Sequence, residues 1–194
     1  MGSLASGQLD MTVSAIETPE RRDFAIFYPY IANNRNYLIV HNELAVRVKT
    51  LGDFRKDHSL RLGVIKGFVH GPTLDAWIAL LRSDGRVYEV PDLEVLARVF
   101  AAGRVDAFLT QPVVWPPLLA RNELSDQVQK LDVAPQDSAV LGLVISRTRV
   151  ATADAERIRI ALEAMRKDGT LEDICSRYVG PAMGRSLASR PLEK

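Results

Sequence analysis

An α/β fold is predicted by three observations on this chain of 194 residues. Short β-rich runs alternate along it with stretches of helical period. The two clearest helical stretches each run into a glycine. Apolar residues make up 47% of the total, enough to fill a core of ordinary size.

Leu9 to Ile16 reads as the first strand, followed by Tyr37 to His41, Arg61 to Lys66, Val87 to Val90, Val105 to Thr110 and Ser138 to Ile145. Residues 72–82 place Leu74, Trp77, Ile78 and Leu81 on one helical face and stop near Gly85. Residues 92–102 do the same with Leu93, Leu96, Val99 and Phe100, and stop near Gly103. Strands and helices in alternation predict a parallel or mixed sheet with right-handed crossovers. Two more helices, 152–166 and 170–179, are split at Asp168-Gly169-Thr170. There Gly169 ends the first, and Thr170 is read as the cap of the second, with Asp173 completing a weaker capping box. The stretch from Gly180 to Lys194 is rich in turn formers and lacks periodicity, so it is read as a tail.

Charge narrows the function. With 25 basic and 24 acidic residues the formal net charge is +1, so no general field favours nucleic acid or an anionic membrane. The single Cys175 cannot form an internal disulfide, and three scattered histidines show no metal-ligand spacing, so neither a metal nor a cofactor is expected. No run approaches the roughly 18 apolar residues of a membrane span, and Met1 to Ser6 lack the basic start and apolar run of a secretory signal.

Three segments can carry chemistry. Thr18-Pro19-Glu20-Arg21 follows the first strand, and the planar donor fork of Arg21 suits a carboxylate; the alternative is a surface pair with Glu17, Glu20 or Asp23. Gly67-Phe68-Val69-His70-Gly71-Pro72-Thr73 joins a strand to a helix, where glycines let the backbone approach a ligand and free N–H groups attract an anion. A plain tight turn is the alternative, with His70 a turn residue rather than a catalytic base. Thr110 and Gln111 lie at the carboxyl end of a strand, where ligands of open α/β sheets gather; Gln111 can instead cap the helix that begins near Val113.

In this order the segments resemble the family 3 solute-binding proteins, the amino-acid type of periplasmic binding protein that serves ABC importers. The resemblance rests on Gly7-Gln8-Leu9-Asp10 with the TxxR segment and Phe27-Tyr28-Pro29-Tyr30, and on Leu51-Gly52-Asp53-Phe54 with Leu62-Gly63-Val64-Ile65-Lys66-Gly67. Ala102-Gly103-Arg104-Val105-Asp106-Ala107 and Met165 to Ile174 with Tyr178 complete it, from residue 7 to about 180. It implies the type II periplasmic-binding fold, with two α/β lobes, a hinge and a ligand in the cleft. The implied boundaries are 1–33 for part of lobe 1, 34–140 for lobe 2, 141–180 for the return to lobe 1 and 181–194 for the tail. Lobe 1 is expected to be incomplete at its N-terminal side, leaving an exposed edge that predicts either self-association or marginal stability of this lobe.

The resemblance also assigns residues. Arg21 maps to the arginine that binds the ligand's α-carboxylate, with Ser14 and Ile16 beside it. The lobe 2 loop, often GTT or GSS, maps to Gly67-Phe68-Val69, without the hydroxyls. The aspartate that pairs with the α-ammonium maps to Gln111, so a carboxylate with a neutral or apolar remainder fits better than a zwitterion. The implied function is a periplasmic solute-binding component that presents its ligand to an ABC permease. Two alternatives are a ligand-free sensor or remnant of the same fold, and an enzyme resembling cyclohexadienyl dehydratase with a cleft carboxylate as general acid.

Overall fold

The computed structural model describes residues 2–17 and 19–189, so Thr18 of the TxxR segment and residues 190–194 of the expected tail lie outside the described residues. The chain divides into two compact units, Met1–Asn34 with Ala139–Lys194, and Arg35–Ser138.

The first unit is built on an antiparallel sheet of β1 (Met11–Ile16), β2 (Ala25–Asn34) and β8 (Ala139–Ser146), in the order β1-β8-β2. β8 lies between the other two, which accounts for its run of apolar residues: both of its faces are covered. Val144 faces Leu4, Ala15 and Ala25. Its neighbours Leu143 and Ile145 face the other way, toward Ala155, Ile158 and Leu162 of α7 (Thr152–Lys167). β2 was not among the expected strands. Pro29 cannot donate to a ladder, and β2 tolerates it as an edge strand, where it stands opposite Gly142. The shorter helices here are α1 (Gly2–Ala5) and α2 (Pro19–Arg22).

Two corrections concern the C-terminal part of this unit. Thr170 is the first residue of α8 (Thr170–Val179) and not its cap, because Gly169 takes that place in a left-handed conformation and the Asp168 carboxylate accepts from the Thr170 N–H. The expected tail contains a helix, α9 (Pro181–Ala188), whose Leu187 is fully buried. Pro181 supplies a helix-ready φ at its first position, and Arg166 donates to the carbonyls of Ala188 and Ser189 at its C-terminal end. Turn-forming composition hid a short helix that packing against β2 and α8 sustains.

The second unit has a mixed five-stranded sheet in the order β5-β4-β6-β3-β7. Its strands are β3 (Tyr37–His41), β4 (Leu62–Ile65), β5 (Val87–Val90), β6 (Ala107–Thr110) and β7 (Val128–Leu131). β4 runs parallel to β5 and β6, and β3 is antiparallel to β6 and β7. Its helices are α3 (Leu51–Lys56), α4 (Pro72–Ser83), α5 (Leu93–Ala101) and α6 (Trp115–Arg121). α4 and α5 bury the apolar stripes expected of them, and each closes through a glycine at positive φ, Gly85 and Gly103. β7 and α3 were not anticipated. The start of α3 is a reciprocal capping box, with Asp53 N–H on the Thr50 hydroxyl and Thr50 N–H on the Asp53 carboxylate.

α3 has no glycine at its end, and its orphan carbonyls are met from another element. Arg86, almost wholly buried, donates to the carbonyls of Phe54, Arg55, Asp57 and Leu60 at 2.7–2.9 Å. Its guanidinium also stands 5.6 Å from the centre of the Phe54 ring. A cation at this end also opposes the negative pole of the helix.

Candidate functional site

In the first unit the site begins at an irregularity of β1. The register against β8 slips between Thr12 and Ala15, and Ser14 takes a left-handed φ of 54°. Tyr30 of β2 holds this bulge: its hydroxyl accepts from the Ser14 N–H at 2.9 Å and lies 3.0 Å from the Ser14 hydroxyl. Six residues past the end of the bulge at Ala15, Arg21 turns back and donates to the Ile16 carbonyl. The Glu17 carboxylate is paired with Arg22 at 2.9 Å rather than with Arg21. Ile16, Glu17, Arg21, Arg22, Ile26 and Phe27 are among the residues that line a small pocket, where the Arg21 and Arg22 side chains stand beside an apolar wall. Ser14, Ile16 and Arg21 are therefore brought together at one end of β1.

In the second unit the parallel register sets Leu62 beside Ala107 and Gly63 beside Phe108, so β4 and β6 end at the same edge. The Gly67 loop and Gln111 follow those two ends, where open α/β sheets hold their ligands. Phe68 and Val69 are exposed, at 48% and 74%, and neither carries a hydroxyl. The Gln111 carbonyl accepts from the N–H groups of Val114 and Trp115, so it is the main chain of Gln111 that closes the turn into α6.

The N–H groups at the start of α4, expected to be free for an anion, are occupied. The Asp137 carboxylate accepts from Thr73 N–H at 3.2 Å and Leu74 N–H at 2.9 Å. The Asp75 carboxylate accepts from His70 N–H at 3.0 Å and Gly71 N–H at 3.3 Å. Burial pushes the acidity of Asp137 down, but the amide and side-chain hydrogen bonds from Leu74 and Thr73 outweigh it, and its pKa lies below the usual carboxylate value. Neither aspartate was singled out in the sequence. Asp75, in the first turn after Pro72, carried a legible local signal. Asp137 carried none, since its partners are more than sixty positions away.

His70 is buried between Asp75 and Phe68, whose ring stands 5.1 Å away, and its carbonyl accepts from the Asn36 amide at 3.0 Å. Burial holds its pKa below the ordinary value, against the pull of Asp75, whose carboxylate is 3.6 Å from Nδ1. Unfolded, it takes up a proton near pH 6.5; folded, only at lower pH. Between the two the unfolded state holds more protons, so this share of stability is complete above about pH 6.5 and declines as pH falls below it. The melting temperature is therefore expected to drop between about pH 6.5 and 5, and His70→Gln to flatten that drop. Carboxylates titrate lower: Asp57, bonded to Ser59 and Arg47, is held down at about 2. An unchanged slope in His70→Gln would refute this assignment.

No protein-family model and no curated protein matches the chain. Solved structures do. An ancestral amino-acid-binding protein, a precursor of cyclohexadienyl dehydratase, aligns at 20% identity with a TM-score of 0.65, covering 92% of this chain and 72% of its own. The L-cystine solute receptor of Neisseria gonorrhoeae aligns at 18% and 0.65, covering 98% and 74%. The arginine-, lysine-, histidine-binding protein ArtJ of Geobacillus stearothermophilus aligns at 21% and 0.63, covering 92% and 73%. The chain has the fold of these structures, the type II periplasmic-binding fold. Within the periplasmic-binding fold, the two candidate clusters sit on separate units, the Arg21 cluster on the first and the Gly67 loop with Gln111 on the second.

Proposed function

We propose that this chain is the solute-binding component of an ABC importer, acting in the periplasm, and that its ligand is a small polar molecule bearing a carboxylate. Its neighbours in fold are amino-acid-binding proteins by name. Arg21 carries the reading: a guanidinium beside a largely apolar pocket, bonded to the Ile16 carbonyl, can turn its donor fork to a carboxylate at little cost. Ser14 and Ile16 lie beside it. In this reading Gly67, Phe68, Val69 and Gln111 are the ligand-binding residues of the second unit. Phe68 and Val69 offer apolar contact and Gln111 a neutral amide, which favours a ligand without an ammonium group. Closure of the hinge on the ligand would present both lobes to a permease.

The test is a thermal-shift screen of amino acids, dicarboxylates and aromatic acids. A ligand present at a hundred times its Kd raises the unfolding free energy by about 2.7 kcal/mol, an easily read shift. Arg21→Ala is expected to weaken the hit by roughly 30-fold or more, the effect of removing one partner of a desolvated charge pair. Unchanged affinity would remove Arg21 from the site.

A ligand-free domain of the same fold is the second reading. It is favoured by the occupied N–H groups of α4 and the missing hydroxyls at Phe68 and Val69, and a screen without a single shift would select it. The enzyme reading requires a carboxylate of raised pKa. Asp53, Asp57, Asp137, Glu156 and Asp168 are all shifted down. Turnover of prephenate or arogenate would restore that reading. Self-association is proposed along β1, an edge strand with Met11, Val13 and Ile16 exposed, and sedimentation as a monomer would count against it.

A further inference from the structure

The start of α4 has the donors of an anion seat and already holds an anion. From His70 to Leu74 the chain has four main-chain N–H groups, since Pro72 has none, and all four are taken by the carboxylates of Asp75 and Asp137. The two are not equivalent. Asp75 is one turn into the helix and closes a local loop of the kind acidic residues commonly form at helix starts. Asp137 arrives from the far end of the unit, on the turn Pro135–Asp137, and sets one oxygen on each of two successive N–H groups, as a bound carboxylate would.

The surroundings are shaped to it. Gly71 lies directly under Asp137: a Cβ there would come within 2.7 Å of both the Cβ and Oδ2 of the aspartate, so a side chain at 71 and a carboxylate at this seat exclude each other. Gln136 fastens the same turn, its amide donating to the Thr73 hydroxyl at 2.9 Å. The Asp137 N–H donates to the carbonyl of Ala134, itself fully buried. Asp137 is 8% exposed, and beside the loop the Nδ1 of His70 is buried without a hydrogen-bond partner.

We propose that Asp137 is a built-in occupant of the α4 anion seat, which keeps external acids off this helix start. Resting on the reading of the chain as a solute-binding protein, this makes Asp137 a specificity residue. An acidic group of the ligand has no seat at these N–H groups, and two fixed negative charges oppose a dicarboxylate there. The ligand class narrows to monocarboxylates with a neutral remainder.

Acetate and chloride at equal ionic strength test the occupancy without any knowledge of the ligand. Asp137→Ala is expected to melt roughly 5 °C below the native chain and to recover at least half of that loss in acetate but not in chloride. In amide NMR spectra, acetate should shift the Thr73 and Leu74 signals in Asp137→Ala and leave them in place in the native chain. Asp137→Asn retains an acceptor and the bulk of the side chain; should the alanine variant fail to fold, the native chain and Asp137→Asn, both unresponsive to acetate at these signals, carry the test. Acetate moving Thr73 and Leu74 in the native chain, or leaving folded Asp137→Ala unaffected, overturns the proposal. Neither result bears on Arg21, whose role is read separately from the ligand screen.

Discussion

Arg86→Ala is expected to cost about 3–5 kcal/mol of unfolding free energy, among the largest single losses available in the second unit. The guanidinium meets four main-chain carbonyls, two of them from the last turn of α3, in a place where water does not reach. Truncation strands those acceptors and leaves a hole against the Phe54 ring, which itself packs edge-on to Trp77 at 5.4 Å. Lysine keeps the charge, but a single ammonium cannot reach acceptors spread around a planar fork, so Arg86→Lys should recover only part of the loss. Chemical denaturation measures both. A midpoint shift in Arg86→Ala no larger than that of an exposed arginine such as Arg157 would contradict the capping role.

Gly142→Val is expected to cost about 3 kcal/mol or more, through the first unit. Gly142 is in the central strand of that unit's sheet, opposite Ala15 on one side and Pro29 on the other. The ring of Phe27 lies over it: a Cβ would fall 2.5 Å from the Phe27 Cζ and 2.6 Å from the Tyr28 carbonyl oxygen. The ring could turn aside, but the carbonyl is backbone of the paired strand, so the sheet itself has to open. Loss of the Phe27 position would also disturb the pocket beside Arg21. Calorimetry should show the transition moved down by several degrees for a chain of this size. An unaltered melting profile would mean that this sheet accommodates bulk the close approach forbids.

The parts of the fold that could be read in advance are those whose causes are local. The stripe Leu74, Trp77, Ile78, Leu81 and the stop at Gly85 lie within one helix and its exit, and α4 follows them to within a residue. The strand Tyr37–His41 announced itself by an unbroken apolar run. β2 did not, because Pro29 and a cluster of aromatics look like a loop unless it is known that the strand stands at an edge. α9 was missed for a related reason: glycine, proline and serine lower its intrinsic helicity, and its stability comes from burying Leu187 and Ala188.

The candidate site divides in the same way. Arg21, Gly67 and Gln111 were placed at strand ends by counting along the chain, and residue type together with the family resemblance argued their chemistry. Tyr30 under Ser14, Asn36 on His70 and Asp137 on α4 were beyond reach, since each bond joins residues that only folding brings together.

The amino-acid order by itself determined an α/β chain with helices and strands near their observed places, because side-chain period and turn chemistry act over a few neighbouring residues. Only the tertiary structure decided that the donors expected to welcome an anion at α4 are already taken. An N–H group bonds whichever acceptor the fold delivers, and Asp137 is delivered there from the opposite end of its unit.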